Sequence, residues 1–308
     1  MSVTALKIIA LVFMVVDHIG QFFPNMPIWL HWIGRLSFPI FIFCSTQGFS
    51  HTRSKKKYII RLYLAGVFME LAKRVVFYSF HAIPGFSSPA GVIGNNIFRP
   101  LFCLSILYFL IDCFRQKDGS FQKYLLRYGV WQIGAYLLLI LLPMVVPITT
   151  GFTIFIEFLP TLLGSIFYLE GGWVYLLLGV ILYWVKDDRK RLARAYTAFC
   201  VVLFLLLFTQ FVPHCLAQLI EIFRLPDLYS FFYELCLKAV GIPPAYTPDP
   251  TAILFKYYSW MMLGALPFLV SYNGQRGKGW KYFFYVFYPL HIFVLYYIGG
   301  ILGGAGGW

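Results

Sequence analysis

Residues 5–23 read ALKIIALVFMVVDHIGQFF. The run is long enough to cross a bilayer as a helix, which takes about 20 apolar residues. It nevertheless carries Asp17 and His18 side by side, and neither is cheap to bury in hydrocarbon. The apolar background extends through the chain. Its 308 residues are 60% hydrophobic, 20% aromatic and 12% charged, whereas a soluble domain carries about 25% charged residues. The mean hydropathy is +0.75. The apolar runs are continuous rather than alternating, so the spans are helical and not those of a β-barrel. A cleaved signal peptide does not fit 5–23, because only Lys7 precedes the apolar core and no small-residue cleavage site follows. The expected fold is all-α: a polytopic integral membrane bundle of about 9–10 transmembrane helices, one of them a re-entrant candidate.

Further spans are expected at 28–47, 58–80, 97–114, 128–146, 195–212, 251–272 and 282–301. The tight turn PNMP (24–27) makes the first two antiparallel neighbours. Segments 152–168 and 173–185 are both apolar but only LEGG lies between them. Four loops are basic, 51–57, 115–127, 186–194 and 274–281, and the positive-inside rule puts all four in the cytoplasm. That holds if 152–170 is a re-entrant or interfacial outer element. Nine full crossings follow, with the amino terminus cytoplasmic and the carboxyl terminus external. Segment 213–250 then faces outward, and its amphipathic stretch LAQLIEIFRLPDLYSFFYELCLKAVGI (216–242) suits the membrane surface. No internal repeat of the transporter kind is visible.

The net charge of +13 sits mainly in those loops, so it reads as topology and not as a nucleic-acid surface. The six cysteines contain no CxxC, which argues against a metal site or a disulfide framework. Cys215 and Cys236 flank the external segment and are the candidate pair.

Ionisable residues inside spans are costly and tend to be functional. Glu70 and Arg74, at i and i+4, read as a same-face pair. Arg61 can snorkel to the cytoplasmic end. His31 and Arg99 lie near span boundaries, and His291 is either a satisfied core histidine or a cavity residue. Asp17 and His18 point about 100° apart on a helix and cannot face each other. Asp17 is expected to pair with Arg35, at similar depth on the next span. His18 is then left to present its imidazole to a cavity, for general-base work or for carrying a group. The alternative is an Asp–Arg–His network that only locks helices together.

These stretches carry a resemblance. LKIIALVFMVVDHIG (6–20), GRLSFPIFIF (34–43), GFSHTRSKKKY (48–58) and YPLH (288–291) resemble the landmarks of the TraX family of bacterial membrane proteins, named for the conjugative pilin acetylase. Asn96, in NNIFRPLF, matches a further family asparagine. Glu170, in EGGWVYLLLGVILYW, stands where that family usually has Asp, and 213–250 has no placed counterpart. The resemblance implies a single membrane acyltransferase-like domain over 1–308 in the bacterial plasma membrane. It implies an N- or O-acetyltransferase whose donor is cytosolic acetyl-CoA or another acyl-CoA. The acceptor carries an amine or hydroxyl: a pilin, peptide, glycan or metabolite.

On that reading Arg53, Lys55, Lys56, Lys57 and Arg61 meet the donor phosphates. His18, Asp17 and Arg35 form the catalytic group, with His18 a base or an acetyl carrier. Tyr288 and His291 line the cavity, and Asn96 donates to the thioester oxygen. The rival readings are a proton-coupled transporter of a small solute and a scaffold with its polar residues as helix glue.

Overall fold

A computed structural model of the chain describes residues 1–208 (except 89, 118, 148, 168 and 170), 218, 222, 251, 255 and 258–305. The described residues form helices and no strand. In order they are α1 (Val3–Phe22), α2 (Trp29–Gly34), α3 (Ser37–Ser50), α4 (Lys55–His81), α5 (Phe98–Arg115), α6 (Phe121–Val145), α7 (Thr150–Leu162), α8 (Gly172–Val185) and α9 (Arg189–Phe208). A 3-10 helix (Tyr258–Ala265), α10 (Leu266–Val270) and α11 (Lys281–Ala305) follow. Among the described residues, Val3–Phe22, Phe121–Val145 and Tyr282–Gly303 are long and apolar enough to cross a membrane. Of the expected 213–250 segment only residues 218 and 222 are described, and Cys215, Cys236 and Glu170 lie outside the described residues.

Local chemistry sets the helix starts. Ser2, Ser54 and Thr149 each accept a backbone N–H of the following first turn. Asp188 accepts from Lys190 N (2.8 Å) and Arg191 N (3.1 Å) ahead of α9. The Arg191 and Lys190 N–H groups hold its carboxyl below the usual carboxylate range.

Prolines break two expected spans. The 28–47 span is two helices, α2 and α3, separated at Arg35–Leu36. Pro39 has no N–H for the residue 35 carbonyl and its ring crowds that carbonyl. It is tolerated instead in the first turn of α3. In 251–272 the described part is a 3-10 helix followed by α10, with Pro267 in the first turn of α10.

The 152–185 region also departs from expectation. Helices α7 and α8 have 13 and 14 residues, about 20 Å each at 1.5 Å per residue. Their junction packs midway along α6: Trp131 Nε1 donates to Leu163 O (2.8 Å) and Gln132 Nε2 to Gly164 O (3.1 Å). Tyr63 of α4 reaches Leu162 O (2.8 Å). The first segment therefore does not lie apart as an outer surface helix. It packs on α4 and α6 and meets the second at mid-height of the bundle, and the two together run its length once as a broken pair.

Helix α1 is central. It packs on α2, α3 and α11 and contributes to both apolar cores. One, around Leu6, Ile40, Phe43, Phe49, Tyr108 and Tyr183, joins α1 to α3, α5, α8 and α9. The other, around Met14, Phe22, Met69, Tyr288, Ile292 and Tyr296, joins it to α4 and α11. Large apolar side chains left outside, such as Leu64, Phe68, Val75, Val130 and Ile133, lie on α4 and α6.

The four basic loops meet at one end of the bundle. Val3 N and Thr4 N donate to Gln275 O (2.9 Å) and Arg276 O (3.2 Å). Lys55 lies 3.6 Å from Asp112, Arg115 donates to Trp184 O (2.8 Å), and Arg189 binds Tyr272 O (2.6 Å).

At the opposite end Gly299 lets α11 close on α1, because a Cβ there would run into the Phe22 carbonyl. That obstacle is backbone and cannot rotate away. Gly299→Val should therefore lower the detergent-solubilised unfolding midpoint, at a cost of about 1–3 kcal/mol. Gly94→Ala, which meets nothing within 4 Å, should leave the midpoint in place. Equal midpoints for the two variants would contradict this account of the α1–α11 crossing.

Candidate active site

Lys7, Leu11, Met14 and His18 fall at i, i+4, i+7 and i+11 of α1 and so share one helical stripe. Two connected cavities follow that stripe. A mouth of about 430 Å³ opens at the basic end, lined by Lys7, Arg53, Arg61, Arg276 and Lys278 together with Thr4, His51, Tyr58 and Trp280. Among the described residues no carboxylate lines it. Below it lies a narrower slot of about 130 Å³, whose walls include Leu11, Met14, Phe41, Phe98 and Tyr285. Lys7, Gly48, Tyr58, Arg61 and Phe284 line both spaces and form the neck between them. The slot reaches Tyr288, whose ring centroid is 5.7 Å from that of His291.

His18 and His291 are both buried, at 4% and 7% exposure. His18 Nδ1 lies 2.9 Å from His291 Nε2, with the two rings stacked. His291 Nδ1 lies 2.9 Å from Phe287 O. A carbonyl only accepts, so His291 Nδ1 carries the hydrogen. The Nε2 of neutral His291 is then the acceptor, and His18 Nδ1–H donates to it. His18 Nε2 holds the lone pair and accepts from Asn95 Nδ2 (3.2 Å). Asn95 is held by Gln21 through two amide hydrogen bonds (3.1 and 3.2 Å). His18 thus has both ring nitrogens engaged and does not stand free in a cavity, because burial so deep requires its polar atoms to be satisfied.

Asp17 does turn away from His18 toward the second predicted span, where its hydrogen bond goes to His31 while Arg35 stays within electrostatic reach of its charge. Asp17 Oδ1 lies 2.8 Å from His31 Nδ1. Pro39 ends the helical ladder at Arg35, and the guanidinium instead stacks on Tyr258, 4.7 Å from the ring centroid. His31, expected at the interface, stacks on the same ring (centroids 5.8 Å apart). Gly34 makes room for this arrangement, since a Cβ there would strike the Asp17 side chain.

Asn96 is also reassigned. Its Nδ2 donates to Gly66 O (3.0 Å) and Glu70 Oε2 (3.2 Å), so both amide hydrogens are committed between α4 and α5. Its neighbour Asn95 reaches the histidines instead. Glu70 lies closer to Lys73 (3.0 Å) than to Arg74 (3.8 Å), and Arg74 pairs with Glu157 of α7. Of the five residues expected at the donor phosphates, Arg53 and Arg61 line the mouth. Lys55 bends back to Phe49 O and Asp112, and Lys56 and Lys57 point outward from the start of α4.

Sequence reasoning missed Lys7, Arg276 and Lys278 in the mouth and Asn95 and Gln21 at His18. Lys7 and Gln21 were within reach of helical spacing from His18. Arg276 and Lys278 read as topology charges, and only the pairing of residues 1–4 with 273–278 brings them to the mouth.

A double-mutant cycle on detergent stability tests the correction at Asp17. Asp17→Asn with His31→Gln should show a coupling of about 0.5–3 kcal/mol. Asp17→Asn with Arg35→Met should show a smaller coupling, since these two charges interact without a direct hydrogen bond. The reverse pattern would restore the Asp17–Arg35 pair.

No solved structure matches the chain. The probable fimbrial assembly protein FimC, serogroup H1, of Dichelobacter nodosus is 37% identical over 70 residues, covering 21% of this chain and 29% of that protein. The chain thus spans well under half the length of this curated relative. The model of the family described as TraX protein matches residues 2–299, which takes in α1 with its Asp17–His18 pair, the basic mouth and His291 on α11. The chain belongs to the TraX family.

Proposed function

We propose that this chain is an acyl-CoA-dependent membrane acyltransferase that moves an acetyl group from cytosolic acetyl-CoA onto an amine or hydroxyl acceptor. The observation that carries the reading is the basic mouth, with no carboxylate among its described lining residues, which narrows into an apolar slot that reaches Tyr288, whose ring centroid lies 5.7 Å from that of His291. A polyanionic nucleotide matches the mouth. The thin, largely uncharged pantetheine arm matches the slot. Lys7 to His18 is 11 residues, about 16 Å along a helix, a reach that suits such an arm. The family match and the fimbrial-assembly relative support an acceptor connected with pilus or fimbrial subunits.

Among the described residues the helices account for nine crossings: α1, α2–α3, α4, α5, α6, α7–α8, α9, the 3-10 helix with α10, and α11. The shared basic end is cytoplasmic, in the bacterial plasma membrane. The mouth then opens toward cytosolic donor, and His18 lies deeper, toward the external side.

The histidine pair supports a covalent relay. His18 Nε2, released by Asn95, attacks the thioester carbon, and the CoA thiolate leaves. The proton on His18 Nδ1 passes to His291 Nε2, 2.9 Å away. Phe287 O, accepting from His291 Nδ1, stabilises the imidazolium that forms. The acceptor then attacks acyl-His18. Tyr288, held by the Ile97 N–H (2.9 Å), walls the slot beside this centre.

Purified protein given radiolabelled acetyl-CoA without acceptor should release CoA and retain label on the chain at His18. His18→Ala should retain none while still binding acetyl-CoA. A wild-type protein that neither binds acetyl-CoA nor releases CoA would sink the acyltransferase reading. Arg53→Ala and Arg61→Ala should each weaken acetyl-CoA binding about 10- to 100-fold, the worth of one hydrogen bond to a charged group. Lys56→Ala and Lys57→Ala should change it less than about threefold, given their outward position and the small worth of exposed charges. Equal losses in all four variants would point to a diffuse surface attraction and not a built mouth.

A further inference from the structure

The molecule contains a second histidine couple, and its chemistry differs from that of the first. Asp17 Oδ1 accepts from His31 Nδ1–H at 2.8 Å. That bond leaves the lone pair of the neutral ring on Nε2. A carboxylate that fixes an imidazole's tautomer and stabilises its protonated form is the arrangement of a general base. His31 retains 24% side-chain exposure and Asp17 27%, whereas His18 and His291 are closed. Tyr258 stacks flat on the His31 ring, with 13° between the planes, and Arg35 covers the same tyrosine. Ring orientation is therefore held by Asp17 at Nδ1 and by Tyr258 against one face. The couple lies on the α1 face next to that of His18, away from the donor slot, whose walls include neither Asp17 nor His31.

We propose that His31 is the acceptor-side general base, oriented by Asp17, and that the acceptor enters past Tyr258 and not through the donor slot. The assignment rests on the acyltransferase reading and adds its second half. The acceptor is a hydroxyl or a neutral amine, a group that has both the lone pair to attack and a proton to give. Its lone pair attacks the acyl carbon on His18 Nε2, and His31 Nε2 takes its proton. The carbon–nitrogen bond breaks with the electron pair left on His18, which regains its Nδ1 proton from the His291 imidazolium. His31 returns its proton to solvent through its exposed edge, and the CoA thiolate released earlier takes one from solvent. Protons and charge then balance over the cycle.

Two measurements test this, and the first needs no acyl-CoA. Diethyl pyrocarbonate, read out by mass spectrometry, should carbethoxylate His31 at least several-fold faster than His18 or His291, and Asp17→Asn should slow His31. Labelling of His31 no faster than His18, or no change in Asp17→Asn, would overturn the base assignment even if acetyl transfer is real. In the second, His31→Gln should bind acetyl-CoA and form acyl-His18 as the wild type does, yet transfer to an alcohol or alkylamine acceptor about 10²–10⁴-fold more slowly. Hydroxylamine, which is nucleophilic without a base, should discharge the same acyl-protein at close to the wild-type rate. An unimpaired alcohol transfer in His31→Gln would overturn the proposal. Loss of acyl-His18 formation in that variant would do the same, by placing His31 in the donor half. Absence of acyl-His18 in the wild type would refute the donor reading instead, and the carbethoxylation result would stand separately.

Discussion

The structure depends on satisfying two adjacent polar side chains on one apolar helix. Asp17 and His18 cannot serve each other, because consecutive helical residues diverge by about 100°. Each must find its partner on a different neighbour, or a buried polar group stays unpaired at a cost of about 1–3 kcal/mol. Asp17 finds His31 and draws α2 against α1. His18 finds His291 and Asn95 and draws α11 and the α4–α5 connection against the same helix. The two couples put α1 at the centre of the bundle and lie on neighbouring faces of it.

That arrangement needs close helix approach and well-placed interruptions. Gly34 and Gly299 remove the Cβ atoms that would hold α2 and α11 off α1. Pro39 stops the helical ladder, so α2 ends with Arg35 turned to Tyr258 while His31 remains level with Asp17. The broken α7–α8 pair follows the same logic, since irregular backbone deep in a membrane is tolerated where protein surrounds it. Here Trp131, Gln132 and Tyr63 satisfy its carbonyls.

The basic end shows one set of charges answering two demands. Positive loops orient a membrane protein during insertion, and most of the cations at this end need no further reason. A subset is drawn inward. Lys7 comes from within α1, Arg61 from one turn into α4, and Arg276 and Lys278 from a loop held to the amino-terminal residues by hydrogen bonds. With no carboxylate among them, these residues keep their positive potential in a concave, partly apolar site, where field is focused and screening is weak.

Much of this was legible in the residues. Continuous apolar runs announced a helical membrane protein, charge asymmetry put four loops at one end, and the motifs around Asp17, Arg35 and His291 announced the family. The prediction that Asp17 and His18 look to different helices followed from helical geometry alone. The choice of partner did not. His31 and Arg35 are one turn apart, and the helix break at Arg35–Leu36 decides which of them hydrogen-bonds Asp17. Asn95 and Asn96 are likewise consecutive, and the sequence gives no means of telling which side of the chain faces the histidines. Sequence by itself determined the class of the fold, the inventory of polar groups and the need for each buried one to be paired. Tertiary structure alone decided the pairings, because hydrogen bonds are selective over tenths of an ångström while apolar patterning places a helix only to within about a turn.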